Sequence, residues 1–204
     1  MKYLKTLGLA ALAAMAVMAF VGAGTASATE LYSGATTLKA GTTIDASLTG
    51  SATLTTTEGT VLNTCKAGTI KGKITNPGSS TSTVTIGLEE FFFKECTEEN
   101  ITVSIGGLEV HHITGTRNGL VTSIPHPDTG AFTEVTIQTT IFGSCVFTFA
   151  NGGTVGTITG TTSGNATFHI NAVATRKSGL CPASAKWVAT FLVTQPVPLH
   201  VTTS

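Results

Sequence analysis

Residues 65–96 read CKAGTIKGKITNPGSSTSTVTIGLEEFFFKEC, and this stretch decides the fold. Two cysteines bracket two alternating runs, with Asn76-Pro77-Gly78-Ser79-Ser80-Thr81 between them. Those six residues are turn formers, through fixed φ, positive φ or side-chain caps. A chain that reverses there lays the second run antiparallel to the first. With Cys65 opposite Cys96, facing positions have a constant sum. Lys66 then faces Glu95, Lys71 faces Glu90 and Ile70 faces Phe91. Opposite charges that face each other favour a ladder by a few tenths to about 1 kcal/mol. Four cysteines allow three connectivities. The register gives preference to Cys65–Cys96, with Cys145–Cys181 as the second bridge. A bridge over such a loop stabilises by roughly 3–4 kcal/mol in the chain-entropy account.

The same alternation extends outward from this hairpin. Ile44, Ala46, Leu48, Ala52 and Leu54 share one parity, as do Ile101, Val103 and Ile105. Val135, Ile137 and Ile141 follow, then Cys145, Phe147 and Phe149. Ala166, Phe168, Ile170, Ala172 and Ala174 form another set, and Trp187, Ala189, Phe191 and Val193 the last. Period two marks half-buried strands. Threonine, about a fifth of the chain, fills the other face. Its branched Cβ suits a pleated sheet while its hydroxyl stays wet. Phase switches at Gly68 and at Gly106-Gly107 imply bulges or bends. No segment after residue 28 has helical spacing of useful length. The expectation is an all-β fold: an antiparallel β-sandwich, or flattened barrel, of roughly a dozen strands. Residues 42–113 and 131–203 hold one cysteine pair each, so two small sandwiches compete with one continuous domain over 29–204. The single domain is preferred, because a core of about 70 residues is marginal alone.

Residues 1–28 have the layout of a signal-peptide helix. Lys2 and Lys5 precede an uncharged run from Leu7 to Gly24, and Ala26-Ser27-Ala28 supplies the small residues before a cleavage site. Cleavage after Ala28 leaves nine basic against eleven acidic residues, a net charge of −2. No second long apolar run follows, so no transmembrane segment is expected in the mature chain. An even cysteine count without a CxxC pair fits an exported, oxidised protein rather than a zinc or thioredoxin-type site. With charged residues at only 11%, the chain lacks the basic surplus that nucleic-acid binding requires.

No residue earns a catalytic, cofactor or metal assignment. There is no GxSxG elbow, and His169 lies on an outward parity. His111 and His112 are strand neighbours that point to opposite faces, so they cannot share an ion. Asp128 and His126 sit in a proline-bounded turn, where Asp is expected to cap its own backbone. Glu89, Glu90, Glu95, Glu98 and Glu99 are oxygen donors without a calcium-loop pattern. Trp187 shares the inward parity of Phe191, and Tyr32 alone is a poor sugar platform. In Phe91-Phe92-Phe93 the outer two rings point in and Phe92 points to the other face, where it is expected to be buried between sheets or beneath the bridge; exposed, it would be a partner contact. The triplets at Asn100 and Asn165 match a glycosylation pattern that would carry no meaning in a bacterial host.

The signal, the Thr/Gly-rich strands, the stretch Ile170-Asn171-Ala172-Val173 through Ser178-Gly179-Leu180-Cys181-Pro182 to Ala185-Lys186-Trp187, and the closing Pro196-Val197-Pro198-Leu199-His200-Val201 together carry a likeness. The chain resembles small secreted, cysteine-bearing actinobacterial proteins of uncharacterised function, and more faintly exported alkane-oxidation activator proteins. Neither resemblance carries over a catalytic residue. The expected role is a secreted, non-catalytic structural or adhesive component of the cell surface, with self-association through a sheet edge. The alternative is a binding module for a small apolar ligand or a glycan, with Phe91, Phe147, Phe149 and Phe168 around a cavity. Non-reducing peptide mapping is expected to recover Cys65 linked to Cys96 and Cys145 linked to Cys181; a Cys65–Cys145 or Cys65–Cys181 peptide would contradict the register.

Overall fold

The computed structural model describes residues 28–98 and 101–203. The signal-peptide reading, Glu99 and the Asn100 triplet fall wholly or mainly outside them. Every regular element among the described residues is a strand. The long ones are β3 (Thr43–Thr56), β4 (Val61–Asn76), β5 (Val84–Cys96), β12 (Thr167–Ser178) and β13 (Ser184–Gln195). Shorter ones are β1 (Glu30–Ser33), β2 (Thr36–Thr37), β6 (Thr102–Ser104), β7 (Gly107–His112), β8 (Gly119–Ile124), β9 (Glu134–Thr139), β10 (Gly143–Thr148), β11 (Thr154–Thr159) and β14 (His200–Thr202).

Eight strands close into a ring in the order β3-β4-β5-β7-β8-β11-β12-β13, with β13 returning to β3. All pairings are antiparallel and each strand neighbours its successor, apart from two excursions. A closed barrel therefore stands where the sequence allowed a sandwich or a flattened barrel. Closure removes the exposed edges of an open sheet. One excursion is β6, the other β9 and β10. They ladder together in the order β10-β9-β6 and join the ring through β12. One edge of β12 is held by β13; the other gives Thr167–Ile170 to β11 and Thr175–Ser178 to β10. The barrel wall thus forks at β12.

The core follows from the alternation. Along β12 and β13, Phe168 faces Phe191, Ile170 faces Ala189, Ala172 faces Trp187 and Ala174 faces Ala185. Ile170–Ala189 and Ala172–Trp187 each set a large side chain opposite a small one, which lets the facing layers interdigitate. Phe147 and Phe191 are fully buried. The inward face of β4 changes phase between Cys65 and Gly68, as the glycine implied. Gly68 also lets β5 approach: a Cβ there would sit 2.8 Å from the Phe92 carbonyl oxygen.

One mouth of the barrel is closed by a separate sheet in the order β14-β1-β2. Leu31, Leu199 and Val201 are fully buried beneath it. Its links to the ring are Val201 N–H to the Arg117 carbonyl at 3.0 Å and Thr161 N–H to the Leu199 carbonyl at 2.9 Å. Tyr32 stacks on His200 with ring centroids 5.6 Å apart, and its hydroxyl donates to Glu30 Oε2 at 3.0 Å. Burial, helped by the Arg117 charge, holds the His200 imidazole below its ordinary pKa. The neutral ring is thus preferred in the folded state. Its contribution is complete above the unfolded value of about 6.5 and is lost as pH falls from there towards the depressed folded value. Thermal melts are expected to show a lower Tm at pH 5 than at pH 7.5, and the difference should shrink in His200→Gln; an unchanged difference would remove His200 as its source.

Candidate functional site

The β4–β5 hairpin carries the molecule's main chemical asymmetry. Its register is the expected one: Cys65 faces Cys96, Ile70 faces Phe91 and Lys71 faces Glu90. Both expected bridges are present, Cys65–Cys96 and Cys145–Cys181. The turn is built as its residues require, with Asn76 Oδ1 accepting from Gly78 N–H at 3.1 Å. The ion pair that closes on this hairpin differs from the two expected. Lys73 Nζ lies 2.7 Å from Glu89 Oε1, and this contact lowers the Glu89 pKa and raises that of Lys73. The reason is a bulge: Lys71 faces Glu90 but Gly72 faces Leu88, which leaves Glu89 as an extra residue.

That bulge also sets the aromatic cluster. Before it, Ile86 and Leu88 point inward; after it, Phe91 and Phe93 do. Both rings meet Trp187, at 5.8 and 5.0 Å between centroids, and both meet Phe191, at 6.1 and 6.3 Å. Phe149 adds a contact to Trp187 at 6.2 Å. Trp187 is only 5% exposed, so it is a core residue as its parity implied. Phe92 points outward and is half-buried, with Lys94 Nζ 5.0 Å above its ring. Such a cation over a ring is worth about 0.5–1 kcal/mol at an exposed site.

Among the described residues the second edge of this strand has no ladder beyond Gly87, and β6 passes beside it without pairing. β5 is laddered to β4 along its length, but on the other side β7 pairs only with Val84–Gly87. The last link there is Leu88 N–H to the Gly106 carbonyl at 3.1 Å. Beyond it, β6 ladders to β9 instead. Gly106 is where the strand breaks, as its phase switch implied. Among the described residues, 89–96 thus have no ladder partner on that side. The apolar positions Ile101, Val103 and Ile105 of the departing segment remain packed on the core.

The bore itself is nearly filled. Three apolar voids lie along it, of about 40, 20 and 20 Å³. A water needs about 10–15 Å³ and several polar partners, whereas ligand pockets run to about 300–1,000 Å³. Phe91, Phe149 and Phe168 line one small void together with Trp187, but Phe147 is not among its walls.

The remaining residues of interest are separate from one another. His111 Nε2 lies 3.2 Å from Thr122 Oγ1 and 3.4 Å from Glu109 Oε2, whereas His112 Nε2 meets the Thr116 carbonyl at 2.8 Å. His169 is half-buried and bonded to Thr190 Oγ1 at 3.0 Å. In the Pro125–Gly130 turn the cap is reversed from expectation. The His126 ring nitrogen accepts the Asp128 N–H at 3.2 Å, because the imidazole sits two residues before it. Asn165 Nδ2 donates to the Val193 carbonyl at 2.7 Å. Among the described residues no three His, Cys, Asp or Glu side chains converge to hold a metal ion.

The sequence identified the rings and their directions and implied a free sheet edge, but did not place that edge on β5. The available signal was the doubled Glu89-Glu90 before the aromatic run, where a strand gains a residue.

No family model, curated protein or solved structure matches this chain. Trp187→Ala is expected to destabilise by about 3–5 kcal/mol in urea unfolding, because three further rings lose their partner. A loss below about 1 kcal/mol would place the indole outside the cooperative core.

Proposed function

We propose that this protein is exported and works, without catalysis, as a structural or adhesive component of the cell surface that self-associates. The observation that carries this reading is the unladdered edge of β5 in a ring that otherwise closes. An unpaired strand edge with apolar rings on it is a template for another strand. Two bridges on a chain of low charge suit an oxidising, extracellular setting. The resemblance to secreted actinobacterial proteins points the same way.

The apolar-ligand reading has its own support. The two inner voids share Ile70, Leu88, Leu108 and Phe168, so movement of those side chains would join them. Even joined, they hold only a few atoms, which makes surface association the better supported role. Light scattering after size exclusion, on protein purified with its bridges intact, is expected to show a defined oligomer in concentration-dependent exchange with monomer. Monomer at every concentration, with a small apolar molecule released on denaturation, would reverse the order of the two readings.

A further inference from the structure

The open edge of β5 is bounded at both ends. The bulge at Glu89 interrupts the strand before Glu90, and Glu95 has φ 54°, which turns the backbone after Lys94. Regular extended backbone therefore spans Glu90 to Lys94, and its midpoint is Phe92. The charges are symmetric about the same midpoint: Glu90 lies two residues before it and Lys94 two after. Glu90, Phe92 and Lys94 share the outer face, and Glu90 and Lys94 are exposed.

The hydrogen-bonding phase agrees. The Phe92 carbonyl is turned towards β4, since a Cβ on Gly68 would meet its oxygen at 2.8 Å. Peptide groups alternate sides along a strand, so those of Phe91 and Phe93 face the open edge. Two such edges can meet antiparallel about a two-fold axis through Phe92. Phe91 then faces Phe93 of the second copy and exchanges hydrogen bonds with it, and the reciprocal pair repeats this. Phe92 faces its own equivalent as a non-hydrogen-bonded pair. Glu90 faces Lys94 of the second copy, and Lys94 faces its Glu90. Slipping the register by two residues in either direction faces a phenylalanine with a charge and leaves both ion pairs unmade.

We infer that β5 is a homodimerisation edge, in which Glu90–Lys94 of two copies pair antiparallel about Phe92. A closed two-fold contact of this kind is self-complementary and uses the same patch on both copies. It rests on the self-association proposed above and specifies its surface, register and symmetry. The Cys65–Cys96 bridge holds the far end of β5 to β4, so the edge is presented as a rigid strand.

Charge exchange tests the register. Lys94→Glu is expected to weaken the dimer by about tenfold or more in sedimentation equilibrium, because like charges then face each other twice. Glu90→Lys does the same, and the double variant E90K/K94E recovers dimerisation. Circular dichroism and thermal melting confirm that each variant is folded. A second route does not depend on charge. Non-hydrogen-bonded antiparallel pairs have Cα atoms about 4.5 Å apart, within disulfide range. Phe92→Cys should therefore cross-link two copies on mild oxidation. Lys94→Cys should not, because its equivalents lie roughly 14 Å apart. An oligomer that ignores the charge variants and fails to cross-link at position 92 overturns this edge while leaving self-association standing. Monomer throughout overturns both.

Discussion

The pairing of β4 with β5 is the constraint on which the rest of the barrel depends. It is the longest-reaching hairpin of the ring, with register running from Cys65–Cys96 up to Asn76–Thr85. Its bulge at Glu89 is what turns Phe91 and Phe93 inward after Leu88. Without that extra residue, one of the two apolar sets would face solvent, since a one-residue slip flips every later side chain. The Cys65–Cys96 bridge locks the register at the end where β5 has lost its second neighbour.

The aromatic cluster depends on this hairpin from the other side. Trp187 on β13 faces Leu54 of β3 and reaches Phe91 and Phe93 across the core, where β3 also contributes the small buried residues Ala46 and Ala52. Ala172 and Ala185 make room on the neighbouring strand and on β13 itself. Large rings and alanines alternate along the inward faces, and apolar voids of about 40, 20 and 20 Å³ lie among them. What distinguishes this barrel from a closed wall is its fork, where β12 exchanges β11 for β10 and β5 parts from β6.

Much of this was legible in the chain. The alternation identified the long strands, though it carried the β9 run on to Ile141, which lies exposed in a turn; the turn formers placed the hairpin reversal, and facing charges favoured both the register and the bridges. The parity of Trp187, Phe91 and Phe93 told which rings enter the core. Each of these depends on neighbours two to about thirty positions apart, whose geometry is dictated by the pleat itself. The cap at His126 and the Lys73–Glu89 pair were not legible. They hinge on shifts of one residue, and periodicity does not register such shifts.

Closure was beyond the sequence as well. Whether eight antiparallel strands curl into a ring or split into two facing sheets depends on accumulated twist and on which edges finally meet. Here β3 must find β13 across more than a hundred intervening residues. The sequence by itself determined an all-β chain and the inner and outer faces of its main alternating runs, because these follow from period-two geometry, and it favoured the observed cysteine pairs through one register. Only the tertiary structure decided that β6 leaves β5 for β9, and therefore that this stretch of β5 has no ladder on its second side among the described residues. A pattern of inward and outward residues defines a strand's faces, whereas its edges are defined by which backbones come to lie beside it.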